Sequence, residues 1–199
     1  MAVWSYIKAV ERVSAPAIDP ITLSECKAQL RIDTTDDDEY LVRLIAVATA
    51  FVDARGVLGK AIITQTWRVW VGNAPSAIKL PIGEVQSLSA VKYYDADGVL
   101  QTATLSDFEL VGLPDARMVR PKSGYSWPSA QARDDAIAIE YVAGYGDASS
   151  DVPQSVRHGL LMLVAHWYEN RETTSEKQYA SLPFGFEELM QIERGHWYG

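Results

Sequence analysis

The sequence predicts an α+β protein: a four-helix bundle with an antiparallel, sandwich- or barrel-like block of strands inserted between its second and third helices. Three observations lead there. Helical periodicity is confined to two stretches near the chain's ends, 21–59 and 151–195. Residues 60–150, between them, carry short β-branched and aromatic runs broken by prolines. The helical stretch from Pro153 onward is apolar on more than one face, which is more than a small domain ordinarily buries.

Each element follows in order. Residues 1–20 contain Pro16 and Pro20 and no periodicity, which reads as an extended N-terminal arm. Thr22-Leu23-Ser24-Glu25 is a capping box, with the Thr22 hydroxyl placed to accept from the third amide and Glu25 to reach back. It predicts a short helix over 22–31. The acidic run Asp33 to Glu39 faces the positive end of a second helix over 36–57, whose stripe is Leu41, Leu44, Ile45, Ala48, Phe51 and Val52. Gly56 or Gly59 ends it. About six strands follow, over 64–71, 85–94, 99–104, 108–111, 117–120 and 136–142, with Asp95-Ala96-Asp97-Gly98 as a hairpin turn. Pro153, tolerated in a first turn, opens a helix over 153–172. A loop, a short helix over 184–194 and a terminal tail, 196–199, complete the chain. The discontinuous bundle is thus 21–59 with 151–195, and the inserted β domain 60–150.

Composition narrows the chemistry. The 199 residues are 48% hydrophobic and carry a net charge of −8, which argues against wrapping nucleic acid through clustered positive charge. An acidic wall remains compatible with DNA sliding past it. The single Cys26 excludes an intrachain disulfide and reads as a small buried hydrophobe on a helical face. The longest apolar run, Leu160–Ala165, is far below the ~20 residues of a membrane helix, and no secretory signal pattern opens the chain.

No catalytic or metal site is expected. The acidic run lacks the order of a calcium loop. His158 and His166 are not spaced as a helical metal pair, and neither they nor His196 stand beside a cysteine or in a His-Glu motif. Gly144-Tyr145-Gly146 lacks the lysine and hydroxyl of a phosphate loop and opens into an acidic stretch, so it reads as a turn. Cofactors are expected to be absent.

Assembly is the better expectation. The second apolar face of the 153–172 helix, Leu161, Met162 and Tyr168, is the candidate subunit interface, with Glu169 and Arg171 able to match charge on a neighbour. Trp197 and Tyr198 in the tail are candidate anchors on a partner.

Several pieces together resemble one family, the head–tail connector (adaptor or head-completion) proteins of long-tailed phages and gene-transfer agents. They are Ile21-Thr22-Leu23-Ser24-Glu25 through Asp33, Asp36–Leu41 with its helix to Gly56, Gln65-Thr66-Trp67, Leu80-Pro81, Tyr93–Gly98, Trp127-Pro128, Val142–Gly146, and Val152-Pro153 with the helix ending Trp167-Tyr168-Glu169-Asn170-Arg171-Glu172. Leu182-Pro183 and the helix through Leu189 to Arg194 close the pattern, which spans about residues 20–195. The strand block resembles the larger subgroup with a β insertion. The resemblance implies a structural virion protein, not an enzyme. It would form a dodecameric ring under the portal protein, extend the DNA channel without specific DNA contact, and receive a tail, stopper or neck protein. It implies residence in the virion neck after assembly in the host cytoplasm, without a membrane. It also implies portal contact through the C-terminal segment, here Phe184, Phe186, Arg194, His196, Trp197 and Tyr198. The alternatives are a tail-side neck or tail-completion protein, a small acidic binding module and a β-barrel enzyme.

Overall fold

A computed structural model of the chain describes residues 6–170 and 182–194. It mixes four α-helices with two antiparallel sheets and divides into two compact units. One unit takes residues up to Pro16 together with Thr64–Gly144; the other takes Ala17–Ile63 together with residues from Tyr145 onward. Both units are therefore discontinuous in sequence.

The sheet unit holds β1 (Ile7–Ser14), β2 (Gln65–Val71), β3 (Ile78–Lys79), β4 (Val85–Tyr94), β5 (Leu100–Thr102), β6 (Phe108–Val111), β7 (Met118–Pro121) and β8 (Ile137–Ala143). A five-stranded sheet runs β1-β2-β8-β4-β5 and a three-stranded one β3-β7-β6. Each order has two ends, so neither sheet closes into a barrel. The N-terminal arm expected over 1–20 is, over Ile7–Ser14, a strand on the edge of the larger sheet, paired antiparallel to β2. Register shifts between Ile7 and Ala9 and between Arg12 and Ser14 break its two-residue period, which is why alternation did not announce it. The two-residue β3 was also missed, being too short to carry a pattern.

Strand β8 is central and almost wholly buried. Its pairs Trp67–Tyr141, Val69–Ile139 and Val71–Ile137 build one apolar face, and the Tyr141 hydroxyl accepts from the Ile82 amide at 3.2 Å. The opposite face is polar and aromatic. Glu140 receives Arg68 at 2.5 Å and Lys92 at 2.8 Å, and Arg68 also meets Glu11 on β1 at 2.6 Å. The Trp70 indole donates to Glu11 and stacks on Tyr94, over which lies the Arg133 guanidinium, itself held by Asp135. Burial alone would raise the Glu140 carboxyl; the hydrogen bonds from Lys92 and Arg68 outweigh it and hold the group below its ordinary value.

The helical unit holds α1 (Leu23–Leu30), α2 (Asp38–Val52), α3 (Gln154–Glu169) and α4 (Phe186–Glu193). All four contribute to one core: Cys26 from α1; Leu41, Leu44, Ile45, Ala48 and Val52 from α2; Val156, Leu160, Leu163 and Val164 from α3; Phe186 and Met190 from α4. The capping box at α1 is made as its sequence requires, with the Thr22 amide donating to Glu25 at 2.8 Å and the Glu25 amide to the Thr22 hydroxyl at 3.2 Å. Burial, with the neighbouring Glu25 charge second, pushes the Cys26 thiol up to about 11.

Candidate functional site: the surface of the helical unit

The candidate site is the surface of the helical unit, where the sequence places its expected contacts. Among the described residues no group of three or more His, Cys, Asp or Glu side chains is arranged to hold a metal. Among the same residues, no helix is long and apolar enough to cross a membrane.

The scaffold of this surface is set by a few polar ties. Arg157 on α3 reaches Glu25 on α1, and the Tyr168 hydroxyl donates to Asp37 just before α2. Lys27 on α1 meets Asp38 on α2 at 2.7 Å. Glu25 would be raised by its burial, but the Thr22 amide and hydroxyl and the Arg157 charge keep it below its ordinary value. Helix α4 is fixed by Ser155 donating to Glu193 at 2.6 Å and by the Arg194 guanidinium donating to the Val57 carbonyl at 2.6 Å. It packs close to α3 because Gly159 has no side chain there: a Cβ would stand 2.6 Å from the Met190 methyl.

These ties redistribute the expected interface residues. Leu161 and Tyr168 pack against the unit's own core, and Tyr168 also lies against Tyr40 with ring centroids 6.0 Å apart. Met162 is half-buried and Glu169 exposed, while Arg171 lies outside the described residues. The second face of α3, expected to be open for a neighbour, is therefore largely covered within the subunit. The reason is that α3 meets α1, α2 and α4 and so spends more than one face on its own unit.

The expected portal-contact residues also separate. Phe184 is 98% exposed, whereas Phe186, two residues on, is 0% exposed and is a core residue rather than a surface anchor. Arg194 is exposed and turned onto the Val57 carbonyl. His196, Trp197 and Tyr198 lie outside the described residues.

The open apolar face is on α2 instead, whose buried stripe is that of an ordinary amphipathic helix. Val42 is 50% and Val47 56% exposed; Ala46 and Ala50 are exposed with them, and Phe51 at the end of the face is partly covered by the rings of Trp167 and Phe186. The signal was present in the sequence. Beyond Arg43 the helix has no charged residue, so every position off its buried stripe is apolar except Thr49.

Comparison with known proteins gives this geometry its context. The sequence pattern of the family described as phage gp6-like head-tail connector proteins matches residues 20–103, which cover α1, α2 and strands β2 to β5. By fold, the chain is similar to a chain in the neck of an empty gene transfer agent (GTA) particle computed with C6 symmetry, at TM-score 0.76 and 22% identity, covering 94% of this chain and 95% of that one. A chain in the neck of a native GTA particle computed with C12 symmetry gives TM-score 0.70, with the same identity and coverage. A chain in the virion of a native GTA particle gives 0.69, again at 22% identity and the same coverage. No curated protein matches the chain by sequence. The head–tail connector resemblance is thus met by that family's pattern over residues 20–103, and nearly the whole chain has a fold found in the gene transfer agent neck.

Proposed function

We propose that this chain is a structural adaptor of a phage-like particle, joining the DNA-filled head to the tail. One observation carries the reading. A head–tail connector pattern over 20–103 and a neck-protein fold over 94% of the chain were found independently, and they point to the same place in a particle. In this reading the helical unit is the ring-forming bundle and the sheet unit its elaboration. The ring is a dodecamer seated under the portal protein, a tail, stopper or neck protein docks on its far side, and the protein is not an enzyme. The particle is assembled in the host cytoplasm. DNA passes through without specific contact, which accords with the net charge of −8. Phe184, Arg194, His196, Trp197 and Tyr198 are the proposed portal contacts. Phe186 is left out because its side chain is in the core.

The test is co-purification and particle imaging with the portal encoded beside this protein. Deleting everything from Phe184 would remove Phe186 and Met190 from the core, so the informative variants are a chain ending at Arg194 and Phe184→Ala. A ring on the portal for the full chain, lost in the shortened one, supports the adaptor and its terminal contact. A ring that survives both variants moves the portal contact elsewhere. No association of the full chain assigns the protein to the tail side of the neck, and the tail terminator becomes the partner to test.

A further inference from the structure

We propose that the open face of α2 is one half of the contact between neighbouring copies, and that α4 of the next copy is the other half. The inference rests on the ring-forming adaptor reading and adds to it a specific helix pair and register.

The α2 surface consists of two adjacent rows at four-residue spacing. One is Val42, Ala46 and Ala50; the other is Arg43, Val47 and Phe51. Such rows are the ridges that pack into the grooves of another helix, and the two alanines permit a close backbone approach. A face of this kind in water is unusual, because a solvated helix surface ordinarily carries charge along its length.

A ring needs two different patches on each subunit, since a head-to-tail contact pairs unlike surfaces. The helical unit carries a second patch of matching form. On α4, Ile192 is 69% exposed, and Glu188, one turn before it, is exposed as well. Both patches have a charged residue four positions ahead of a large apolar one: Arg43 ahead of Val47, and Glu188 ahead of Ile192. Laid side by side in parallel, the helices place Val47 on Ile192 and Arg43 by Glu188, with opposite charges facing at the same offset. Among the described residues, the ion pair Arg43 makes is a distant, exposed contact with Glu39, at 3.9 Å. These side chains would form the centre of a contact that must bury about 800 Å² per subunit to be stable, so flanking residues complete it.

The experiment uses the full chain assembled on the portal and read by particle imaging. Val47→Glu is expected to reduce rings at least about tenfold, as are Arg43→Glu and Glu188→Arg singly, because each opposes like charges or buries one. The double variant Arg43→Glu with Glu188→Arg is expected to restore them, a recovery that damage to folding would not produce. All three substituted positions are exposed, so helical circular dichroism and melting should be unchanged. Rings undiminished by Val47→Glu, or a double variant no better than its parents, overturn the helix pair and leave the adaptor reading standing. Failure of the unaltered chain to assemble on the portal overturns that reading and this inference with it.

Discussion

The two units treat their outer surfaces in opposite ways. In the sheet unit, the face away from the apolar core is closed by its own side chains: Glu11, Arg68, Glu140 and Lys92 form a chain of charges across four strands, extended by Trp70, Tyr94 and Arg133. In the helical unit, α2 presents Val42, Ala46, Val47 and Ala50 as exposed side chains. A surface whose polar groups satisfy one another gains little from a neighbour. An apolar helix face gains roughly 25 cal/mol for each Å² it removes from water. The contrast is the physical ground for the proposed contact between copies through the helical unit.

Substitutions test this contrast between the units. The largest effects belong to the two cores. Phe186→Ala and Trp67→Ala should each destabilise their unit by about 3–5 kcal/mol, read by chemical denaturation, since both side chains are fully buried. A cost below about 1 kcal/mol for Phe186→Ala would show α4 to be a detachable arm rather than part of the core.

Next is the charge ladder. Glu140→Gln leaves Arg68 and Lys92 without their shared carboxylate, and should cost about 2 kcal/mol, less than a fully buried pair because both cations are about a quarter exposed. An unaffected midpoint would mean that water serves the two cations as well as Glu140 does, and the claim of a self-sufficient face would fall.

The pH dependence is smaller and has a definite sign. Glu140, Glu25 and Glu11 all titrate below their ordinary value of 4.5 in the folded protein. Their contribution is fully present above about pH 4.5 and is lost as the pH falls through the depressed values, because the unfolded chain then binds protons first. Stability should therefore decline below about pH 4.5, and the decline should be shallower in Glu140→Gln. Equal slopes for the two proteins would remove Glu140 from the account.

The smallest effect is expected at Phe184. Its side chain is almost entirely in solvent, so Phe184→Ala should change stability by no more than about 0.5 kcal/mol. A clear loss would show that the side chain packs on the subunit and is not free for a partner.

How much was legible in the sequence differs by element. The α1 capping box, the α2 stripe and the strands at 85–94 and 108–111 could be read because each carries its signal in its own residues: a capping pair, a helical spacing, or a β-branched and aromatic run. Strand β1 could not. Its partner β2 lies beyond both α1 and α2 in sequence, and its bulges erase alternation. The open apolar face was not legible on α3 for a related reason. An apolar surplus on α3 was visible, but its use depends on how many helices of the same unit meet it, which periodicity does not encode.

The element types and the segregation of helices from strands are set by the sequence, because these follow from local hydrogen-bonding options and the spacing of apolar residues. Only the tertiary structure decided that β1 belongs to the sheet, that Phe186 is inside while Phe184 is outside, and that α2 rather than α3 keeps an apolar face open. Burial is a property of what packs against a side chain, and those neighbours come from distant parts of the chain.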